Sequence, residues 1–468
     1  MLQRQSALLI IAALFVAALL LALITHGSGV VRNDPGRHIW IPKELTMPLQ
    51  LQVAHDGQRI LFRYRWPAAH PHLHHDVLRY TEGGWVQERR APVGPEPDGL
   101  YEDRLSMMID DGSVPEFQRY GGYITVGTGM RDFTDSEGQA GQGEDLAYRR
   151  KYLPDTRLDP DDWYSISDAE TLAAQREAGY FLDLWHWRAQ LSNPIGWSDD
   201  QHIAWYRLYD AGDGPFASNW DGAAGEPRFM FDPDATGIRA LRWEQVSTDR
   251  TDMDGPYYLA EPSAVAFDSG HDWEEGDVLP AQVLREPSGA RAAVRVQGEG
   301  RWADGYWDVT LERSLDTGFP LEDKILHDQG VYDIALAVHR DAKASRWHYV
   351  SMPLQVGLGR EADLVAARFS GDTPDWDRVA VHEVTLFYPG QVDWPRLTSE
   401  IHAGAKYIAE GVPVKFRHTP AQLAQYGVEI EFEREIRRQW WLSLVAGTLL
   451  IMSFVLSISL VLGRRGED

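Results

Sequence analysis

The sequence predicts a mainly β fold, a β-sandwich with helical insertions, flanked by two transmembrane helices. Two observations carry this reading. Apolar residues recur with a period of two in many short runs separated by Gly and Asp turns, and each end of the chain holds a long uncharged apolar stretch. A parallel α/β fold would interleave helical patterns regularly with the strands, and few such patterns occur.

Residues 7–24, ALLIIAALFVAALLLALI, run without a charge after a short tail of residues 1–6. Eighteen residues at 1.5 Å each reach about 27 Å, close to the hydrocarbon thickness of a bilayer. A cleaved signal peptide has a similar composition, but this apolar region is long and ITHGSG is a poor cleavage site, so a retained signal anchor is expected.

Residues 33–385 form the expected exported domain. In LQLQVAHDGQRILFRYRW, Leu49, Leu51 and Val53, then Ile60, Phe62, Tyr64 and Trp66, alternate about an Asp56-Gly57 turn, which predicts a hairpin. VLRYTEGGWVQERR repeats the pattern about Gly83-Gly84. Further alternating runs follow in RAAVRVQGEGRWADGYWDVTLERSL, VYDIALAVHR and RWHYVSMPLQVGLG. Between them, residues 135–145 (DSEGQAGQGED) have the composition of a flexible loop. Residues 167–192, SDAETLAAQREAGYFLDLWHWRAQLS, read as a helix capped near Ser167.

Residues 386–438 change character and read as a helical linker, DWPRLTSEIHAGAKYIAEG being amphipathic. Residues 440–463 form the second apolar span, with Trp440 and Trp441 at one interface and Arg464-Arg465 opening the 464–468 tail at the other. Arg4 and Arg464-Arg465 mark the outer ends, while Arg437-Arg438 lie on the opposite flank of the second span. The arrangement predicts an inner-membrane protein with cytoplasmic tails and a large periplasmic domain.

Composition excludes several classes. A formal net charge of -25 argues against a nucleic-acid partner, because binding to phosphate backbones depends on cationic contacts. The chain has no cysteine, which excludes disulfides, thiolate zinc sites, cysteine-ligated iron–sulfur clusters and thioether-linked, c-type haem. No phosphate loop, nucleophile elbow, zincin helix or dinucleotide fingerprint occurs, so the chain reads as an electron-transfer or binding subunit more than as an enzyme.

Three stretches carry candidate site chemistry. HPHLHHD places His70, His72 and His74 on one side of an extended chain, which suits a divalent metal or haem iron and equally a solvated connection beside Pro71. DLWHWRAQLSNPIGW places His186 between Trp185 and Trp187 ahead of Arg188; indole walls and a guanidinium suit a flat carboxylate-bearing macrocycle, a sugar platform or a plain core. DAKASRWHYVSMPLQ brings Lys343, His348 and Met352 into one strand region, and each type can ligate iron, Lys only when deprotonated.

With these residues in view, YEDRLSMMIDD followed by a Gly-Gly segment, MRDF, DLWHWRA and RWHYVSMPL resemble the haem-binding subunit of ethylbenzene dehydrogenase and its DMSO-reductase-class relatives. RYRWPAAHPHLHHDVLRYTEGGWVQ fits the membrane-associated members, and the similarity runs from about residue 45 to 360. The resemblance implies an immunoglobulin- or DOMON-like sandwich holding one non-covalent b-type haem, with a Met and a Lys as axial ligands and redox or respiratory proteins as partners. Lys343 matches the Lys position. The Met position falls near Tyr120, which has no thioether, leaving Met130 or His74 as the second ligand and Trp185, Trp187 and Arg188 as pocket walls. In YGGYITVGTGMRD, Tyr123, Val126 and Gly127 stand where c-type relatives would carry cysteines and a histidine; in HAGAKYIAEGVPVKFRH, Val414 and Arg417 stand for cysteines and only His418 remains. The glycines then are either the shell of a covalent site without its attachment chemistry or a simple glycine-rich strand and turn. A haem-free ligand-binding or scaffold module of the same sandwich, and a metal protein using His70, His72 and His74, are the alternatives.

Overall fold

The computed structural model describes residues 2–26, 46–74, 76–88, 100–125, 151–159, 165–247, 252–298, 300–340, 348–387 and 433–462. The expected loop at 135–145, residues 388–432 of the expected helical linker and both Met130 and Lys343 lie outside the described residues; of the linker's ends, 386–387 belong to a strand and 433–438 to a helix. The chain divides into two compact units, Pro35–Gly427 and the pair Met1–Asp34 with Val428–Asp468.

The larger unit is mainly β. β1 (Thr46–His55) and β2 (Arg59–Pro67) form the first hairpin in the register Val53 to Phe62 and Leu51 to Tyr64. Asp56 Oδ1 accepts from the Gln58 and Arg59 amides at 2.8 and 2.7 Å, and Gly57 takes φ +96°, so the Asp-Gly pair makes the turn as its chemistry predicts. β3 (Val77–Thr81) and β4 (Gly84–Glu88) meet about Glu82 and Gly83, both at positive φ, the geometry that matches the twist of a two-residue hairpin. β5 (Arg104–Asp110), β6 (Leu182–Arg188), β7 (Asp199–Ile203) and β8 (Arg207–Tyr209) pair in succession. β9 (Asp277–Pro280) joins β3, and β10 (Arg295–Val296), β11 (Tyr306–Ser314), β12 (Val331–His339), β13 (Tyr349–Ser351) and β14 (His382–Phe387) complete the set used below.

The main sheet runs β10-β11-β2-β1-β14-β13-β12-β5-β6-β7-β8. It bends so that the β2–β11 portion faces β5 and β6. Phe62 on β2 meets Trp185 on β6 edge to face at 5.6 Å, and Trp66 and Trp307 meet Trp187 at 5.8 and 5.1 Å. Tyr64 donates its hydroxyl hydrogen to Met107 Sδ at 3.1 Å, and Arg313 of β11 pairs with Asp183 of β6. Two of the buried indoles find acceptors: Trp187 Nε1 donates to Asn193 Oδ1 at 3.0 Å and Trp307 Nε1 to Asp103 Oδ2 at 2.7 Å, whereas Nε1 of Trp66 and of Trp185 has no partner among the described residues. A second core lies under β3, β4 and β9, where Val77, Leu78, Phe231, Leu259, Val278 and Leu279 are buried and Trp85 edges against Trp273 at 5.1 Å.

The expected helix over 167–192 is half right. A helix covers only Ala169–Glu177, with Asp168 rather than Ser167 as its cap, Oδ1 accepting from the Thr171 amide at 3.0 Å. Gly179 then takes φ +82°, and the chain enters β6. All seven residues of β6 are buried, so its polar–apolar alternation is lost and a period of two no longer distinguishes strand from helix.

In the smaller unit, α1 (Leu2–His26) packs along α2 (Glu433–Leu462), with Ala18, Ala446 and Ser453 buried between them and Ser453 Oγ donating to the Ile11 carbonyl at 3.5 Å. Small residues permit this close approach. Among the described residues one helical stretch, Ile436–Ser459, is long and apolar enough to cross a membrane; the apolar stretch Ser6–Ala22 is shorter. Two transmembrane helices therefore do not follow from the structure, which gives one candidate span.

Trp187 is fully buried among rings of the facing strands, so Trp187→Ala should cost about 3–5 kcal/mol of unfolding free energy in urea titrations of the detergent-solubilised chain. A loss below about 1 kcal/mol would mean that the two portions of the sheet do not pack face to face.

Candidate functional site

A strand buried on both faces sends alternate side chains to opposite sides. On β5, Met107 faces the aromatic interior, whereas Ser106 and Met108 face a cleft. On β6, Trp185 and Trp187 face the interior, and Leu184 lies in the cleft wall. β12 contributes Ala335, Ala337 and His339, β13 contributes Val350, and His348 precedes it. The remaining wall is the 3-10 turn Gly121–Thr125, with Lys151 and Arg207 beside it. The cleft is open at its mouth, and the roughly 610 Å³ not occupied by protein atoms includes the open solvent there.

The turn sits tightly on the strands because two glycines begin it. A Cβ on Gly121, at φ +61°, would stand 3.2 Å from Pro353, and one on Gly122 would stand 3.5 Å from Met108 Sδ. The glycines of YGGYITVGTGMRD are thus, over their first five residues, a turn pressed against β5 and β12; the rest of that stretch lies outside the described residues.

The cleft is rich in nitrogen bases held neutral. His339 stacks on His348 with ring centroids 4.6 Å apart and 17° between planes, and His339 Nδ1 has no hydrogen-bond partner among the described residues. Burial first, then the charges of His348, Arg104, Arg207 and Lys151, push the His339 pKa well below its ordinary value. His186, behind the cleft wall, accepts from Arg207 Nη2 at 2.9 Å on Nδ1, and burial with the Arg207, Arg188 and Arg104 charges lowers its pKa strongly too. Lys151, half-buried, donates to Thr125 Oγ1 at 3.4 Å, and burial together with Arg207 pulls its pKa down to about 8. A Lys in that range carries an appreciable neutral fraction, the form whose lone pair can bind a metal.

The residues singled out from the sequence go to several places. Trp185 and Trp187, expected as pocket walls, fill the space between the facing portions of the sheet, because a shift of one residue along a strand reverses the side to which the side chain points. Arg188 is buried in an ion pair, Nη2 donating to Glu102 Oε2 at 2.5 Å, with its guanidinium 5.5 Å from the Phe216 ring centroid. His74 is buried with Nδ1 3.4 Å from Gln190 Nε2, and His72 lies edge-on to Tyr101 at 5.4 Å, while His70 is exposed. Neither His72 nor His74 lines the cleft. His348 does line it, and it follows the 341–347 segment containing Lys343 as His339 precedes it. Met352 is buried. Sequence reasoning passed over Met108, Lys151, Arg207 and His339. A signal for His339 existed: in VYDIALAVH the residues Ala335, Ala337 and His339 recur at intervals of two, a row of small side chains that leaves room in front of an imidazole.

The chain is mainly β, and Met, Lys and His side chains line one cleft. The family profile for ethylbenzene dehydrogenase matches residues 27–351, and the chain belongs to that family. No curated protein matches the sequence.

Lys151 should titrate near pH 8 when lysines are reductively methylated with a carbon-13 label and followed by NMR. Arg207→Gln removes a neighbouring positive charge that disfavours the ammonium form, so it should raise that pKa. A Lys151 resonance that titrates with the surface lysines would refute the electrostatic picture of the cleft.

Proposed function

We propose that this chain is a membrane-anchored electron-transfer subunit of an ethylbenzene-dehydrogenase-like redox complex, with an immunoglobulin- or DOMON-like periplasmic domain that holds one b-type haem in the cleft. The observation that carries this reading is the convergence of Met108, Lys151, His339 and His348 on one cleft in a member of that family. The residues present fit the group. An orphaned imidazole nitrogen of His339 and the Met108 thioether belong to residues that line the cleft, and Arg207 offers charge to propionates. With no cysteine in the chain, attachment is non-covalent.

A bound haem supplies one-electron transfer, while the protein fixes its ligands, burial and surrounding charge. The resemblance implies that Lys343 would hold the iron, with Met130 or His74 as its partner, and His74 does not line the cleft. Lys343 lies in sequence between two residues of the cleft wall, His339 and His348, and Met130 follows the glycine turn by five residues. A second assignment, Met108 with Lys151, rests on a specific observation: these are the described cleft residues of the same two types, and Lys151 is already pulled towards neutrality. Burial first, and then the cationic side chains nearby, keep the His339 and His186 imidazoles unprotonated, and unprotonated nitrogen is what binds iron.

The full chain purified from membranes in detergent should show a Soret band in proportion to protein, with about one haem per chain. Lys343→Ala should shift or abolish the band and Lys151→Ala leave it unchanged; the reverse pattern moves the axial role to Lys151. A colourless preparation that takes up no added haem would overturn the proposal and leave a ligand-binding or scaffold module.

For the anchor, α2 supplies one span and α1 is proposed as the second. Removing residues 1–26 and 433–468 together should release the protein into the soluble fraction, whereas continued sedimentation with membranes would refute a helical anchor.

A further inference from the structure

On the interior side of β6, away from the cleft, three carboxylates meet. Asp183 comes from β6, Asp200 from β7 opposite Trp185, and Asp323 from the segment after β11. All three are fully buried, and each offers an oxygen within 4.8 Å of the other two. Buried carboxylates of like charge repel one another and normally find a counter-charge or hydrogen bonds.

The protein supplies part of that. Arg313 Nη1 donates to Asp183 Oδ2, which also accepts from the Lys324 amide at 3.0 Å. The Lys324 ammonium is committed elsewhere, to Asp110 at 3.2 Å, Asp111 at 2.8 Å and the Gly179 carbonyl at 2.7 Å. Asp183 Oδ1 and Asp200 Oδ2 have no hydrogen-bond partner among the described residues. A fourth carboxylate adds to the excess: Asp210 is 2% exposed, holds His202 Nδ1 at 2.5 Å through Oδ1, and leaves Oδ2 without a partner among the described residues. Burial first, and then the charges of Asp323 and Asp183, raise its pKa well above the ordinary carboxylate value. Asp183, Asp200 and Asp323 against one guanidinium leave two uncompensated charges when ionised, which one divalent cation would cancel, and Asp210 adds a third.

We propose that Asp183, Asp200 and Asp323 form a buried site for a hard divalent cation of the calcium class, with Asp210 behind it. The donor set is all carboxylate oxygen, which suits such an ion, and a spread within 4.8 Å can be bridged at Ca–O distances of about 2.3–2.6 Å. The ion would tie β6 and β7 to the segment after β11 at the end of the aromatic interior, a structural role separate from the cleft. The competing arrangement is protons: burial and mutual repulsion raise the Asp200 pKa strongly and take that of Asp323 to about 7.

The test uses the full chain in detergent, stripped with a chelator and titrated with calcium chloride. One calcium ion per chain and a melting temperature that rises with calcium are expected, together with terbium luminescence excited through tryptophan, since Trp185 stands opposite Asp200 and 5.1 Å from the Arg313 guanidinium. Asp200→Asn keeps the shape of the side chain; it should weaken calcium binding by more than about 100-fold. Without calcium it should melt no lower than the parent, because it removes a repelling charge. Asp323→Asn gives the same pattern if the site is right. A parent chain that neither retains calcium nor responds to it shows that protons hold the cluster and ends the proposal. Calcium binding equal in parent and both variants ends it too, by placing the ion elsewhere.

Discussion

Burial of β5 and β6 on both faces is the constraint on which the rest of the larger unit depends. A strand covered on one side only can leave its polar residues in water, but these two cannot. Each inward or outward position must therefore be apolar, or must bring its own partner. The inner positions of β6 answer with Trp185 and Trp187, closed against Phe62, Trp66 and Trp307, and with Asp183 against Arg313. The outer positions answer with Leu184 in the cleft wall and with His186, held by Arg207. One strand thus separates a packed interior from an open cleft, and adjacent residues belong to different chemistry.

Charge follows the same division. Outside, Arg104, Arg188, Arg207 and Lys151 surround His186 and His339, so burial and positive neighbours act together to keep both imidazoles neutral. Inside, carboxylates outnumber the one guanidinium that meets them, and burial and repulsion act together to favour the uncharged acid or a bound cation. Both effects require that water be excluded. Each would fade if the sheet did not close over its own faces.

Much of this was legible from the chain. The hairpin about Asp56-Gly57 was, because an Asp side chain that accepts amides two and three residues on, followed by a glycine free to take positive φ, specifies a turn without help from the rest of the molecule. The second hairpin was legible too, although its turn falls on Glu82 and Gly83, one residue earlier than the Gly83-Gly84 pair suggests. The strand LDLWHWR was not: burial on both faces erases the alternation, and the neighbouring helix of Ala169–Glu177 lends its pattern to the residues that follow. Nor was the cleft. Met108, Lys151, Arg207 and His339 are separated by long stretches of sequence, and nothing local in any of them indicates a shared wall.

The sequence by itself determined that the chain is rich in paired strands, that it carries apolar terminal helices, that it has no sulfur for covalent haem attachment, and that it resembles the ethylbenzene dehydrogenase family. These follow from local propensity, turn chemistry, composition and motif, which need no long-range contact. The tertiary structure decided which residues meet. It turned the tryptophans of DLWHWRA away from the cleft, brought His339 onto His348, and gathered Asp183, Asp200 and Asp323 into one buried cluster. The reason is that the side to which a strand residue points depends on register, and register is set by partners distant in the chain.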